Sequence, residues 1–405
     1  MVAVTIFCLA YLGIAVGKIP GLRIDRVGLA LLGAIAMVVF GVLSPENAVR
    51  SIDLPTILLL YSLMIVSAQL RLGGFYTWIA MRIIPFYTYP RRFLMVTMVA
   101  SAALSAILAN DIVCLAFTPV LAQSLLRVKL NPLPFLLGLA ISSNIGSAAT
   151  IIGNPQNMLI GQTGHLDFAY FFFWCAPPTI AALLAAYLLI VFIFRNRFTS
   201  VGQAPLIDSP HAEPVLNRWQ SLKGIIAILI LITLFFTPIP REISAIAIAG
   251  LLLCSREMRS KDIIGLVDWH LITLFCALFV INDGIAQSGF LQIIMTQFSR
   301  VGINLQDLSI LSGVSVIASN LFSNVPATML LIGFIDPLIP AQWYTLAVSS
   351  TFAGNLFLLG SIANLIVIEQ AATYNIKISF SEHARIGIPV TIVSLVILLS
   401  WLVFV

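Results

Sequence analysis

An internal repeat relates the two halves of this sequence and constrains what the chain can fold into. Residues 53–75 and 268–290 align without a gap, and both segments begin with Asp and end with Gly-Phe. A second pair, 139–162 and 346–370, shares Leu-Ala, Ser-Ser, Gly and Asn in the same order. A shorter matched pair, around Asn110 in the first half and Asn324 in the second, lies between them. Three blocks in one order predict a duplicated structural unit.

The composition indicates that these units lie in a membrane. The chain of 405 residues is 60% hydrophobic and 9% charged, whereas soluble domains carry about 25% charged residues. The net charge of +5 does not indicate nucleic-acid binding, because the basic residues stand in short loops between apolar runs. The cysteines lack metal-ligand spacing, so we expect no metal and no cofactor.

The apolar runs predict an all-α integral membrane protein with about ten transmembrane helices. The predicted spans are 2–17, 27–43, 54–70, 135–160, 169–194, 224–238, 243–255, 269–285, 343–368 and 386–405. The first run has no charged region before it, so we interpret it as a retained span and not as a signal peptide. The predicted organisation is a first repeat at 1–194, a polar linker at 195–223 and a second repeat at 224–405.

Two further apolar segments, 93–126 and 307–335, each have a polar centre. About 15 residues flank that centre on either side, and a full span needs about 20. We therefore predict two re-entrant hairpins that enter and leave the membrane on the same side. Segments 72–90 and 286–306 are amphipathic and predict interfacial helices, with ordinary connecting loops as the alternative.

The distribution of positive charge predicts the orientation. With the N-terminus outside and five crossings per half, only Arg50, Arg241 and Arg300 of the 21 Lys and Arg residues lie outside. The linker is then cytoplasmic and both termini lie outside the cytoplasmic (inner) membrane. An odd number of crossings inverts the second half relative to the first.

Inverted repeats with broken helices place a binding site at the membrane midplane. The candidate segments are the two hairpin tips and the two polar stretches within 135–160 and 343–368, where Pro155 predicts an interrupted helix. Their amide, hydroxyl and glycine groups can replace the hydration shell of a solute; the alternative is that they are small helix-packing residues. The candidate substrate- and ion-binding residues are Asn110, Asp111, Ser143, Asn144, Gly153, Asn154, Asn157, Asn324, Thr351, Asn355, Gly360 and Asn364.

Asp111 is the ionisable residue that this layout places deepest in the membrane. An ionised carboxylate in lipid costs at least ~2.5–3.5 kcal/mol, so an intramembrane acid predicts a proton carrier or a cation ligand. The alternative is an N-cap for the second hairpin helix. Its counterpart in the repeat is Val325, so the two tips are not equivalent. No Lys or Arg falls in the four polar segments, which favours a neutral or weakly charged solute.

The motif Gly153-Asn-Pro-Gln-Asn157, with Ala-Asn-Asp at 109–111 and Ser-Asn-Val-Pro-Ala at 323–327, resembles the ion-transporter superfamily. That superfamily includes arsenite permeases, silicic-acid efflux carriers, ArsB/NhaD-type antiporters, and citrate and dicarboxylate carriers. The resemblance implies a homodimer in which a transport subdomain moves against a scaffold subdomain in an elevator mechanism. It also implies that Asn110, Asp111, Asn154 and Asn157 line one half-site and that Asn324, Asn355 and Asn364 line the other.

The tips and the break of this chain depart from the sodium-coupled dicarboxylate carriers, in which both tips read Ser-Asn-Thr and the break reads Ser-Pro-Pro-Asn. They look more like the metalloid-efflux branch. If Na⁺ is nevertheless the coupling ion, the expected ligands are Asn110, Asn157, Asn324 and Asn364.

The sequence-based hypothesis is a proton-coupled antiporter that expels a small hydroxylated solute such as arsenite or silicic acid, or a related inorganic anion, with Asp111 as the proton carrier. The alternatives are a sodium-coupled dicarboxylate or citrate symporter, a Na⁺/H⁺ antiporter, and a channel. We do not expect an enzyme, because the sequence has no HExxH, no GxSxG and no Cys/His cluster.

Overall fold

The computed structural model describes residues 1–17, 23–198, 216–290, 293, 296–297, 302 and 304–404. Within these residues the chain forms 19 α-helices and two short 3₁₀ helices, and no β-strand occurs among them. The predicted all-α class is therefore confirmed. Residues 199–215 of the predicted linker, and most of 291–303 in the second predicted interfacial segment, lie outside the described residues.

The described part of the first half, 1–17 and 23–198, contains ten α-helices. They are α1 Val2–Val16, α2 Arg26–Val39, α3 Pro45–Arg50, α4 Leu54–Leu72, α5 Phe75–Ile83, α6 Pro90–Ile107, α7 Asn110–Arg127, α8 Leu133–Ser147, α9 Pro155–Thr163 and α10 Phe168–Ile193, with a 3₁₀ helix at Ile84–Thr88.

The described part of the second half contains nine α-helices. They are α11 Arg218–Phe235, α12 Arg241–Leu253, α13 Ser260–Ile264, α14 Trp269–Gln287, α15 Leu308–Phe322, α16 Asn324–Ile332, α17 Pro340–Ala353, α18 Ile362–Ala372 and α19 Phe380–Phe404, with a 3₁₀ helix at Leu358–Gly360. Helix α11 begins six residues before the predicted span at 224–238, and its first turn is capped by the Asn217 side chain.

Within the part of the chain that the structure describes, five helices are long and apolar enough to cross a membrane: α4, α10, α11, α14 and α19. Helices α1, α2, α8, α15 and α18 are apolar but shorter. The long helices α10 and α19 expose large aliphatic side chains, among them Leu184, Leu188, Ile392 and Val396, each more than half exposed. Lipid is the solvent that such faces require, so the chain is a multi-pass membrane protein.

Each predicted hairpin segment is two helices that break at the predicted polar centre. In the first segment α6 ends at Ile107, Leu108 is extended, and α7 begins at Asn110. In the second, α15 and α16 are separated by Ser323 alone, whose φ of 77° lies in the left-handed region. One residue in that region interrupts the helix, because the residues on either side of it can no longer form i to i−4 hydrogen bonds with each other.

The predicted spans 135–160 and 343–368 are also interrupted, as expected. Helix α8 stops at Ser147 and α9 resumes at Pro155, which occupies the first helical position, where its missing N–H costs nothing. Gly153 is required in this break, since a Cβ at that position would lie 2.2 Å from the Ser147 carbonyl oxygen. In the second half α17 stops at Ala353 and α18 resumes at Ile362.

The broken helices form the centre of the molecule. Every residue of α8 from Pro134 to Ser147 is buried, although four of them are polar: Ser142, Ser143, Asn144 and Ser147. Helix α17 is buried from Gln342 to Ala353. Buried polar side chains need hydrogen-bond partners, so the two breaks are the places where a polar network has to form.

Candidate functional site

Asn144, in the buried helix α8, connects three of the four polar segments. Its Nδ2 donates to Oδ1 of Asn355 at 3.0 Å and to Oδ1 of Asn364 at 3.1 Å. Its Oδ1 accepts from Nδ2 of Asn110 at 3.2 Å and from Oγ of Ser361 at 2.8 Å. All four bonding sites of one buried amide are therefore occupied by residues from the first hairpin tip and the second break.

Thr351 is the repeat counterpart of Asn144, and it makes the corresponding contacts from the second half to the break of the first half. Its Oγ1 accepts from Nδ2 of Asn154 at 3.1 Å and lies 3.5 Å from Oδ1 of Asn157. In the sequence repeat, Asn154 corresponds to Ser361 and Asn157 to Asn364. Each half thus uses the same position of its buried helix to hold the break of the other half.

The two asparagines that follow the breaks, Asn157 and Asn364, donate hydrogen bonds to the interrupted backbone in the same way. Nδ2 of Asn157 donates to the carbonyls of Ser147 and Thr150 at 3.2 and 3.0 Å. Nδ2 of Asn364 donates to the carbonyls of Gly354 and Phe357 at 2.8 and 3.4 Å. The Thr150 and Phe357 carbonyls also accept from the Gly153 and Gly360 amides. The Ser147 and Gly354 carbonyls stand at helix ends and accept no backbone hydrogen bond within the described chain, so the asparagine amides supply their missing partners.

The hairpin tips dock on these breaks. The Asn110 carbonyl accepts from Oγ of Ser143 at 3.1 Å. Oriented with its nitrogen toward the two nearest carbonyls, the Asn324 amide donates to Gly360 at 3.1 Å and to Ser350 at 3.3 Å. Each tip asparagine is therefore attached to a break segment and not to its own hairpin.

Both tips line one small cavity of about 30 Å³, roughly the volume of one water molecule. Its lining residues are Asn110, Asp111, Pro155, Gln156, Leu271, Ser323, Asn324, Val325, Ser361 and Ile362. Oδ1 of Asn110 is buried and has no hydrogen-bond donor among the described residues. An acceptor in that state is unfavourable by about 1–3 kcal/mol, and a donor placed in the cavity would remove the penalty.

Asp111 also lines a second cavity, of about 200 Å³, together with Arg71 and Asp268. Asp268, which lines the same cavity, is exposed. Asp268 accepts from the Leu271 amide at 2.9 Å as the N-cap of α14. The suggested N-cap role of Asp111 is wrong, because Ala109 is the N-cap of α7.

The two hairpins differ in how their serines are satisfied. Oγ of Ser105 lies 2.7 Å from Oγ of Ser143, and Ser101 is hydrogen-bonded to Ser142 in the same interface of α6 and α8. The repeat counterparts on the second hairpin, Ser315 and Ser319, are fully buried and have no partner within the described chain. At these two positions the first hairpin is therefore hydrogen-bonded to α8, whereas the second hairpin is bonded to α17 through Asn320 instead.

The twelve predicted site residues all lie in or beside this central network or its cavities. Three further residues of the site, Ser361, Gln156 and Asp268, were not predicted from the sequence. Ser361 could have been found as the repeat counterpart of Asn154, and Gln156 as the only other amide of the Gly153–Asn157 motif. No local signal marks Asp268, because its cavity partner belongs to the other half of the chain.

Tyr11 was not predicted to take part in the site either. Its hydroxyl lies 2.9 Å from Oδ1 of Asn282 and 3.2 Å from the Pro326 carbonyl. It therefore links α1 and α14 to the second hairpin two residues beyond its tip asparagine.

Lipid-facing helices around a buried amide network with broken helices define a multi-pass membrane transport protein. The model of the citrate transporter family, CitMHS, matches residues 11–353, and the chain belongs to this family. The resemblance read from the Gly153–Asn157 motif is thereby confirmed.

Individual relatives and a solved structure agree with this assignment. The silicon efflux transporter LSI3 of Oryza sativa subsp. japonica is 30% identical over 93% of this chain and 92% of its own length. The inner membrane protein YbiR of Escherichia coli (strain K12) is 29% identical, covering 85% of this chain and 87% of its own. The crystal structure of the Alcanivorax borkumensis YdaH transporter has a similar fold, with a TM-score of 0.58, 14% identity, and coverage of 99% and 96% of the two chains.

Proposed function

We propose that this protein is a secondary active transporter that expels a small hydroxylated solute, of the silicic-acid or arsenite type, across the cytoplasmic membrane in exchange for protons. The observation that carries the proposal is the buried, unpartnered Oδ1 of Asn110 beside a cavity that both hairpin tips line. A hydroxyl group of the solute would donate to this oxygen. The silicon efflux activity named for the Oryza sativa relative supports the same solute class.

The chemistry of the small cavity favours a neutral solute. Its lining contains no Lys and no Arg, and its single ionisable residue is the acid Asp111. A fully charged anion beside that carboxylate would be repelled when the acid is ionised. Amide and hydroxyl groups, which both donate and accept, suit undissociated silicic or arsenous acid.

Proton coupling is supported by the position of Asp111 between two cavities. One is the small cavity at the tips, and the other contains Asp268, which is exposed. Two carboxylates that line one cavity would repel each other when both are ionised, which favours the retention of one proton between them. Asp268 would exchange that proton with the cytoplasm, and Asp111 would release it when the solute binds.

The transport movement we propose is an elevator built from two inverted repeats, 1–194 and 224–405, joined by the cytoplasmic linker 195–223. The reciprocal contacts of Asn144 and Thr351 with the opposite breaks support a two-fold relationship in the membrane plane. The hairpins and broken helices would form the moving transport subdomain. The remaining spans, in a homodimer with both termini outside, would form the scaffold subdomain.

A second candidate is sodium-coupled transport of citrate or a dicarboxylate. Two observations favour it: the description of the family itself and the guanidinium of Arg71 in the cavity next to Asp111. In this case Na⁺ would bind among the amides of Asn110, Asn157, Asn324 and Asn364. The same sites would serve a Na⁺/H⁺ antiporter.

The test is transport in proteoliposomes with an imposed pH gradient. We expect uphill movement of silicic acid or arsenite that collapses with a protonophore and shows counterflow of labelled solute. Sodium-dependent uptake of citrate or succinate, with no movement of either metalloid, would replace the first candidate with the second. Flux without counterflow would instead indicate a channel.

A further inference from the structure

A groove of about 700 Å³ lies between the end of α4, helix α5 and helix α7, apart from the amide network. Two arginines line it, Arg71 at the end of α4 and Arg127 in the last turn of α7, and no acidic residue does. Neither guanidinium has a hydrogen-bond or ion-pair partner in the described ranges of the chain. Two unpaired cations in one groove are complementary to an anion.

The rest of the groove is mostly apolar. Leu115, Pro119 and Val120 supply one wall from α7, and Met81, which is 43% exposed, supplies the other from α5. A groove that combines two arginines with an aliphatic wall is suited to an amphiphile with an anionic head and a hydrocarbon tail. A soluble anion would gain nothing from the apolar part.

Aromatic and basic side chains on α5 indicate the depth of the groove. The guanidinium of Arg82 stacks 5.0 Å from the centre of the Trp78 ring, and Trp78 is 39% exposed. Exposed Trp beside Arg is characteristic of the membrane–water interface, where phospholipid headgroups lie. The positive-charge distribution predicts that this interface is the cytoplasmic one.

We propose that this groove binds an anionic glycerophospholipid from the cytoplasmic leaflet. Its phosphate lies between Arg71 and Arg127, each of which can form charge-assisted hydrogen bonds to phosphate oxygens. An acyl chain follows Leu115 and Val120 along α7. Because Arg71 and Leu115 also line the cavity of Asp111, the bound lipid closes one side of that cavity and holds α7, the second arm of the first hairpin.

The experiment titrates the purified, delipidated full-length protein with phosphatidylglycerol or phosphatidylcholine and measures the bound lipid by native mass spectrometry. Each arginine near an anionic headgroup contributes roughly a fivefold affinity factor, so we expect phosphatidylglycerol to bind about 30-fold more tightly. Arg127→Gln, at an exposed helix end, should lower that preference about fivefold, and Arg71→Gln should do the same. The matched control is Arg82→Gln, which removes one positive charge outside the groove.

Charge-conserving variants and a soluble competitor complete the design. Arg127→Lys and Arg71→Lys should retain most of the preference for phosphatidylglycerol. Inorganic phosphate and glycerol phosphate should not displace the lipid at millimolar concentration. Equal binding of the two lipids, an equal loss in Arg82→Gln, or displacement by free phosphate would each overturn the lipid site. None of these outcomes bears on the solute proposed above.

Discussion

Asn144 and Asn364, which belong to opposite halves of the chain, are joined by a 3.1 Å hydrogen bond from Nδ2 to Oδ1. The bond connects the last turn of the buried helix α8 with the first turn of α18, which follows the second break. Both side chains are almost completely inaccessible to solvent, 2% and 1% exposed. The network around this pair can therefore be tested by removing its members one at a time.

Asn144→Ala should destabilise the protein by about 3 kcal/mol and abolish transport. The substitution deprives Asn110, Asn355, Asn364 and Ser361 of a partner at once, and each buried group left unpaired costs about 1–3 kcal/mol. Thermal unfolding in detergent measures the effect. Thr118→Val is the control, since Thr118 bonds only a carbonyl one turn away in its own helix. Equal losses in the two variants would show that the network has no special role.

Gly153→Ala should prevent formation of the first break. The new Cβ would meet the Ser147 carbonyl oxygen at 2.2 Å, a clash with backbone that no rotamer relieves. Gly250→Ala is the matched control: no atom lies within 4 Å of its new Cβ, and α12 should gain up to ~1 kcal/mol from the better helix former. Size-exclusion profiles and melting temperatures compare them. A normally folded Gly153→Ala protein would contradict the described geometry.

Asp111→Asn should abolish solute movement driven by a pH gradient while leaving exchange of labelled solute down its own gradient. The amide keeps the size of the side chain but carries no titratable proton. Flux in proteoliposomes with and without a protonophore measures it. If the variant still concentrates solute on a pH gradient, Asp111 is not the proton carrier.

Asp268→Asn should slow proton-driven flux several-fold without abolishing it, because Asp268 would deliver protons to Asp111 and water could substitute for it. Asp262→Asn is the control; Asp262 is a nearby acid paired with Arg259 at 2.9 Å and does not line the cavity. The measurement is the initial rate at several internal pH values. Identical rates for the two variants would remove Asp268 from the pathway.

Ser105→Ala and Ser319→Ala should have opposite effects on stability although the two serines are counterparts in the repeat. The first loses a buried bond to Ser143 and should cost about 1 kcal/mol. The second removes a buried hydroxyl that has no partner within the described chain, so it should be neutral or stabilising. Chemical denaturation of the pair, measured in parallel, distinguishes the two hairpins. Equal destabilisation would mean that Ser319 is paired in the dominant state.

Much of the fold could be predicted because the relevant signals are local. Asn110, Asn324 and Pro155 interrupt apolar runs, and a new helix begins at each of them. At Pro155 the reason is local, because a proline lacks the amide donor that an interior helical position needs. The ends of α12, in contrast, were not predictable to the residue. Helix ends depend on caps and packing, and the predicted span at 243–255 corresponds to Arg241–Leu253.

By itself the sequence determined that the protein lies in a membrane, and it predicted two related halves, each with a hairpin and a broken helix. These properties follow from hydrophobicity, charge placement and internal similarity along the chain. Only the tertiary structure decided that Asn144 bonds Asn355 and Asn364, and that Asp268 shares a cavity with Asp111. Those pairs are distant in sequence, and their contacts arise from how the two halves pack together, which no local pattern of residues specifies.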